Sequence, residues 1–422
     1  MKKLLVLLLV SLNVVAQKEA ITLIKAGKLF DAEKGVFIDN QQILIKGNVI
    51  SAIGSKLEVP AEAKVIDLSK QTVLPGLIDC HTHITSQPEN YYEDLFRKSY
   101  IDYAVEAHIY AKRTLEAGFT TCRDVGAYEL IDVSLRNSIN AGKVIGPRLY
   151  VSGPFIGSTG SHGDINGFSP HISFKQITPI ADGVDEIRKI VRRNIKYGAD
   201  LIKFGATAGV LTEEESVGAP QYSQEEMNVM VQEAALWGKK AAAHAHGAEG
   251  INMAIKAGVA SIEHGSFLND ESIRLMKEKG TFLVADIYND DYILAEYAKL
   301  GYPEKIIEKE RMVGKTQREN FQKAAKAGVR IAYGTDAGVY PHGDNAKQFF
   351  YMVKFGLTPV QAIQSATIYA AELIGVKDKI GSISVGKYAD IVAVEGNPQE
   401  DITCIEKKLV FVMKDGKVYV KK

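Results

Sequence analysis

Two histidines spaced two residues apart follow an apolar segment near residue 80 and give the first sign of chemistry. The segment reads Leu74-Pro-Gly-Leu-Ile-Asp-Cys-His-Thr-His-Ile84. In a β-strand, this spacing places the imidazoles of His81 and His83 on the same side. Two neutral imidazoles held side by side form half of a site for zinc or a similar metal. The same alternation predicts that the Cys80 thiol points away from both histidines.

Other polar residues follow apolar, strand-like segments in the same way. They are Lys203, His244 with His246 two positions later, His264 and Asp336. Each alone has a simpler interpretation, such as a hydrogen-bonded core histidine, a lysine with its amine at the surface, or an aspartate that caps a helix. Together with the first pair they place five of the nine histidines at strand ends. We therefore predict a metal site.

Lys203 constrains the type of site. A protonated ammonium repels a metal, and burial of the side chain only lowers its pKa. Carbamylation by carbon dioxide would invert the charge of Lys203 and give a carboxylate able to bridge two metals.

The elements that would position these residues alternate regularly over residues 74–376. Helix-like segments end in glycine, the residue favoured just past a helix C-terminus, and an apolar run follows. The junctions are at Gly118, Gly142, Gly198, Gly238, Gly258, Gly280 and Gly328. With the opening strand they give eight units, which predicts an α/β fold, a (β/α)8 TIM-like barrel with its site at the carboxyl ends of the strands. An open doubly wound sheet is the alternative, although no glycine-rich nucleotide loop follows the first strand.

The two ends of the chain differ from this middle part. Residues 17–73 and 377–422 contain short β-type runs with turn signals at Gly47-Asn48 and Asp415-Gly416. This pattern predicts one small β-sandwich domain built from both termini. Residues 1–16 have the basic start, short apolar run and small residues of a signal peptide cleaved near Ala16, which predicts a periplasmic or secreted protein.

Composition excludes several classes of partner. Lys plus Arg and Asp plus Glu both total 51, so no net charge attracts nucleic acid or an anionic membrane. No apolar run reaches the roughly 18 residues of a membrane span. The three cysteines do not make a disulfide framework. We expect a small-molecule substrate, and the sequence leaves open whether copies of the chain form a homo-oligomer.

The motifs resemble those of the amidohydrolase superfamily, through His81-Thr-His83, Lys203, His244, His264 and Asp336. Within it the chain is most similar to the prolidase-like group, which includes Xaa-Pro dipeptidases and relatives of imidazolonepropionase. The similar stretches begin with Leu74–Asp79 and continue with His244–Gly250, Ser261–Gly265, Gly334–Asp336, Pro341–Asn345 and Gly386–Asp390. The resemblance covers nearly the whole chain after the signal segment.

The resemblance implies a site for two divalent metals, with Zn²⁺ the expected ion. His81, His83 and Asp336 would hold the more buried metal, and His244 and His264 the second. Carbamylated Lys203 would bridge them. Imidazolonepropionase-like and deaminase members favour a single metal and lack this lysine, so Lys203 favours the two-metal hydrolases.

The predicted reaction needs no serine or cysteine nucleophile, because divalent metals make water acidic enough to lose a proton near neutral pH. Asp336 would accept that proton and later pass it to the leaving amine, and His162 would hold the substrate carbonyl or carboxylate. Substrate contacts are predicted for residues at or after the strand ends. These are His162, His246, Tyr288, His342, Asn345 and Arg123.

The sequence thus predicts an exported, two-metal hydrolase that cleaves an amide or peptide bond in a dipeptide or an N-acyl amino acid. One alternative is a cyclic-amide hydrolase or deaminase of the imidazolonepropionase type. Another is a non-catalytic binding protein on the same scaffold. A missing metal ligand would favour the binding protein, but all the expected ligands are present.

Overall fold

A computed structural model describes residues 19–171, 179–213 and 216–422. The predicted signal peptide at residues 1–16 lies outside these ranges. Among the helices in the described ranges, none combines the length and apolar character that a bilayer crossing requires.

Strands predominate at the two ends of the chain. Those of the terminal region are β1 (Ile21–Asp31), β2 (Val36–Lys46), β3 (Val49–Gly54), β4 (Lys64–Pro75), β12 (Ile391–Val394), β13 (Leu409–Lys414) and β14 (Lys417–Lys421). Those of the middle region are β5 (Leu77–Thr82), β6 (Phe119–Asp124), β7 (Arg148–Val151), β8 (Leu201–Gly205), β9 (Lys240–Ala245), β10 (Ser261–His264) and β11 (Phe282–Val284).

Helices occupy most of the remaining middle region. They are α1 (Tyr91–Arg97), α2 (Tyr100–Glu116), α3 (Ile131–Asn140), α4 (Gly183–Lys196), α5 (Gln224–Leu236), α6 (Ala248–Ala257), α7 (Asp270–Lys279), α8 (Asn289–Glu296), α9 (Glu304–Lys326), α10 (Gln348–Lys354), α11 (Pro359–Ser365), α12 (Ile368–Ile374) and α13 (Cys404–Lys407).

Strands from the two ends of the chain form one sheet, and the structure does not confirm the predicted β-sandwich domain. The sheet has seven strands in the order β14-β13-β12-β4-β1-β2-β3. The two ends are joined through β4, which has 12 residues. Its first part pairs in parallel with β1 and its end pairs antiparallel with β12, so one strand joins the N-terminal and C-terminal hairpins edge to edge.

The middle region has the alternating β/α order expected of a TIM-type barrel. Its strands form two parallel sheets, ordered β11-β10-β9-β8 and β5-β6-β7, rather than one continuous sheet. Isolated parallel bridges extend the pairing from these sheets, at Ile156–Phe204, Thr82–Ala337 and Leu283–Ile331. The predicted eighth strand near Ile331 is therefore reduced to a bridge beside β11, which itself has three residues.

Two sequence predictions about local structure can be compared directly with the backbone. All seven junction glycines have positive φ, from 66° at Gly238 to 109° at Gly198, as the helix-ending interpretation requires. The opening apolar segment is divided, because β4 ends at Pro75 and β5 begins at Leu77. All six residues of β5 are buried, as expected for a strand covered on both faces.

Candidate active site

Histidines from three strands of the two parallel sheets meet at the carboxyl ends of those strands. The ring centroids of His81 and His83 lie 5.5 Å apart, and those of His81 and His264 lie 5.0 Å apart. The His244 ring is 4.6 Å from that of His264. The period-2 alternation of β5 and the parallel register of β9 and β10 produce this convergence.

Asp336 joins this group from the segment that follows the Ile331 bridge. Its Oδ1 atom lies 3.3 Å from His81 Nε2 and 3.2 Å from His83 Nε2. Burial raises the pKa of Asp336, but the adjacent His81 and His83 imidazoles outweigh it and hold the pKa well below its usual value. The backbone of Asp336 has φ 57° and that of His264 has φ 68°, a left-handed conformation that is costly for residues other than glycine. Such strain persists where the surrounding structure fixes the geometry, as it does at active sites.

Lys203 is fully buried within β8 and lines the same cavity. Its side chain is 1% exposed, and its Nζ atom lies 5.6 Å from the centroid of the Phe155 ring. Burial lowers the pKa of the Lys203 amine to about 8, because the charged form loses its hydration. A neutral amine is the form of lysine that reacts with carbon dioxide.

A cavity of about 460 Å³ opens above these residues, a volume suited to a small-molecule ligand. His162 lies in its wall with its ring stacked 4.0 Å from that of His244. Burial lowers the pKa of His162 to about 3, so that its imidazole is neutral. His246 also lines the cavity, and its Nδ1 atom lies 2.7 Å from Ser266 Oγ. Both residues are therefore placed to contact a ligand.

The donor atoms fit a divalent metal site. Three sets of side chains each offer ligand atoms within 4.8 Å of one another. The sets are His81, His83 and Asp336; His244, His246 and His264; and His264, Asp286 and Asp336. The buried Nε2 atom of His244 has no hydrogen-bond partner among the described residues, which leaves its lone pair available. Imidazole nitrogens and carboxylate oxygens suit zinc, so the residues present fit the predicted metals.

Oxygen atoms lie close behind three of the histidine rings. His83 Nδ1 lies 2.9 Å from the Gly126 carbonyl oxygen, and His264 Nδ1 lies 3.0 Å from Asp286 Oδ1. His81 Nδ1 lies 3.0 Å from Oε2 of Glu263, which is fully buried. Partners of this kind orient metal-binding imidazoles.

Sequence analysis did not assign Asp286 or Glu263 a role. Asp286 follows strand β11 by two residues, so its position after a strand could have marked it as a candidate site residue. Glu263 sits on β10 immediately before His264, and alternation would direct it into the barrel rather than toward the cavity.

Two predicted substrate contacts lie away from the cavity. Arg123 is 3% exposed, and its guanidinium donates to both carboxylate oxygens of Glu263, at 2.8 and 2.9 Å. His342 has its Nδ1 atom 3.2 Å from Thr114 Oγ1 and its Nε2 atom 3.0 Å from the carbonyl oxygen of His83. Both side chains support the residues around the site and do not line the cavity.

Asn345 and Tyr288 also have other partners. Asn345 is fully buried, and its amide donates to Asp79 Oδ2 at 2.8 Å. The Tyr288 ring packs against that of Tyr340 with 4.9 Å between centroids, and neither tyrosine lines the cavity. In both cases the loop after the strand folds back into the core, a tertiary effect that strand-end position does not reveal.

The cavity wall includes residues that sequence analysis did not select. Tyr297, Tyr302 and Glu310 line it, from the segment that comprises α8, α9 and their connection. No motif or strand-end position marks these residues in the sequence. They reach the cavity only because α9 packs across its edge.

Comparison with known proteins agrees with the geometry. Residues 72–419 match the Amidohydrolase family. The ochratoxinase of Aspergillus niger is 34% identical over 423 residues, which cover 94% of this chain and 86% of that protein. The imidazolonepropionase of Acinetobacter baumannii (strain AB307-0294) is 25% identical over 400 residues, which cover 85% of this chain and 88% of that protein.

A solved structure shows the same relationship in three dimensions. The crystal structure of a Xaa-Pro dipeptidase with bound methionine in the active site matches with a TM-score of 0.90 and 42% identity. The match covers 95% of this chain and 100% of that chain. The predicted resemblance is confirmed: the chain belongs to the amidohydrolase family and is a hydrolase that acts on carbon–nitrogen bonds.

Proposed function

We propose that this protein uses two divalent metals to hydrolyse the amide bond of a dipeptide or an N-acyl amino acid. The observation that carries the proposal is the convergence of two histidine and aspartate ligand sets, with Lys203 beside them, on one cavity of about 460 Å³. The similarity to a Xaa-Pro dipeptidase with methionine bound in its active site supports a substrate that contains an amino acid.

Each residue of the site has a proposed role in metal binding, proton transfer or substrate orientation. His81, His83 and Asp336 would hold one metal, and His244 and His264 the other, with carbamylated Lys203 between them. When bound, the metals polarise a carbonyl and make water acidic. Asp336, which touches both histidines of the first set, accepts the proton of the attacking water and returns it to the leaving amine. His162, neutral and beside His244, donates a hydrogen bond that orients the substrate carbonyl or carboxylate.

The structure adds His246 to the second ligand set, since its ring stacks 4.8 Å from that of His264. We infer that His246 is a substrate contact rather than a permanent ligand. Its Nδ1 atom is engaged with Ser266, and its Nε2 atom would be available to the substrate. Zinc content in a His246→Ala variant should therefore match that of the native protein.

Hydrolysis of a cyclic amide or deamination is the second candidate, and similarity to an imidazolonepropionase favours it. Lys203 opposes it, because a bridging lysine belongs to the two-metal site. A screen of zinc-reconstituted protein against dipeptides, N-acyl amino acids and aminopurines separates the two. Release of a free amino acid is expected, and release of ammonia without an amino acid would favour the second candidate.

Carbamylation, export and assembly are further parts of the proposal. Reconstitution with zinc should be faster with added bicarbonate if Lys203 is carbamylated, and a Lys203→Met variant should lose this effect.

The basic and apolar residues at the N-terminus support export, which fractionation of the native cells would test. Light scattering of the purified protein would establish whether it is a homo-oligomer.

A further inference from the structure

Glu310 presents a carboxyl group to the cavity without a compensating charge. It lies on α9, is 4% exposed and forms part of the cavity wall. Across the part of the chain that the structure describes, no hydrogen-bond donor or cation lies within bonding distance of its carboxyl group. Burying a carboxylate in this way is unfavourable unless a partner of opposite charge compensates.

Two cations on the same helix as Glu310 have other partners. Arg318, on the same helix, pairs with Asp290 and Asp291, each at 2.7 Å. The ammonium of Lys309 donates to the carbonyl oxygens of Gly209, at 3.2 Å, and Thr212, at 2.5 Å. The surroundings of Glu310 are thus acidic overall. Burial, followed by repulsion from Asp290, raises its pKa to about 8.

Two aromatic rings line the same cavity as this carboxyl group. The rings of Tyr297 and Tyr302 stack with 3.8 Å between centroids, and both residues line the cavity. Their hydroxyl groups donate to the backbone carbonyls of Val339, at 2.9 Å, and Pro88, at 3.0 Å. A cavity lined by both aromatic rings and a carboxylate suits a cation, which can gain a counter-charge and contact with a π-system.

We propose that Glu310 is a specificity-determining residue that binds a cationic nitrogen of the substrate. The cation is an ammonium or guanidinium group, supplied either by the free α-amine of a dipeptide or by a basic side chain. The proposal rests on amide hydrolysis as the function of this cavity and narrows its substrate class. N-acyl amino acids that lack a basic side chain would be poor substrates.

Matched substrates identify the source of the cation. Norleucyl-norleucine can be compared with its N-acetyl derivative, which lacks the α-ammonium. It can also be compared with peptides that carry lysine in place of either norleucine, which add a basic side chain of similar shape. In the zinc-loaded native protein, one of these comparisons should show a preference for the cationic substrate of about tenfold or more in kcat/KM.

The Glu310→Gln variant should lose that preference while it retains activity on the neutral member of the pair. Glu308→Gln is the matched control, because Glu308 is exposed on the same helix and should leave the preference unchanged. Glu310→Asp retains the charge and should retain part of the preference. An unchanged preference in Glu310→Gln would overturn the proposal.

Binding of hexylamine relative to hexanol, measured by calorimetry, gives a second readout that needs no turnover. The native protein should bind the amine more tightly, and Glu310→Gln should bind both compounds alike. If no peptide is cleaved but this difference is found, amide hydrolysis fails as the function and cation binding by Glu310 stands. Equal affinity for the amine and the alcohol in the native protein would contradict the role of Glu310.

Discussion

Asp336 contacts both histidines of the opening motif, which gives this carboxylate two duties, as a ligand and as a proton acceptor. Replacement by asparagine keeps the shape and one oxygen donor but removes the basic oxygen. We expect Asp336→Asn to lower kcat by about 10²–10⁴-fold while the protein still binds metal. Steady-state kinetics and metal analysis of the same sample measure both quantities. Undiminished turnover with metal bound would show that another group moves the proton.

Glu263 is a residue whose charge matters for stability. It pairs with Arg123 and lies close to His81. The side chains of Glu263 and Arg123 are at most 4% exposed. Glu263→Gln would leave the guanidinium buried without a counter-charge, so we expect a loss of about 3–5 kcal/mol in the free energy of unfolding. Urea denaturation measures it. Glu271→Gln, which breaks an exposed pair with Arg274, should have a much smaller effect, and similar losses in the two variants would contradict this assignment.

Glu310 should make stability depend on pH. Its pKa is raised from 4.5 to about 8 in the folded protein, so folding favours the protonated carboxyl group. That contribution is fully present below the unfolded value and is lost as the pH rises through about 8. Glutamine stays neutral throughout. The melting temperature of Glu310→Gln relative to the native protein should therefore increase between about pH 5 and pH 9, and a constant difference would argue against a buried, unpaired carboxyl group.

At the scale of elements, Gly209 allows the loop after β8 to approach the histidines. A Cβ atom there would lie 2.4 Å from Cε1 of His162 and 2.9 Å from Nε2 of His244. We expect Gly209→Ala to displace His162 and to reduce kcat/KM by about tenfold or more, with little change in melting temperature. Kinetics and thermal unfolding test this. Unchanged kinetics would mean that the His162 position does not matter for the reaction.

Periodicity explains which elements could be predicted. The seven glycine junctions and the spacing of His81 and His83 depend on local backbone geometry. In the structure all seven glycines have positive φ, and the two histidine rings lie 5.5 Å apart. The expectation that polar residues following apolar strands meet at one site was also right for Lys203 and Asp336, which line the cavity. The same expectation was wrong for Arg123, which lies within β6 and donates to Glu263 on β10 instead of lining the cavity.

The rest depends on tertiary packing that no local pattern encodes. The loop after the Ile331 bridge folds back beneath His83, so His342 supports that residue instead of the substrate. Glu310 reaches the cavity because a 23-residue helix crosses its edge, and nothing in the order of charges along α9 distinguishes this glutamate from its neighbours.

At the scale of the molecule, the terminal sheet and the β/α region are covalently joined twice. One connection is Gly76, between β4 and β5, and the other follows α12. The first connection places the end of β4, at Pro75, six residues before His81. Strands from both termini share one sheet because β4 is long enough to pair on both sides, and the structure does not confirm the predicted β-sandwich.

Metal titration of the chelated protein tests the two-metal site most directly. The protein would be stripped of metal, and activity and bound zinc per chain would be measured as zinc is returned with bicarbonate present. Both ligand sets lie in one cavity, so full activity should return only when two equivalents are bound. Full activity at one equivalent, or in the metal-free protein, would contradict a two-metal hydrolase.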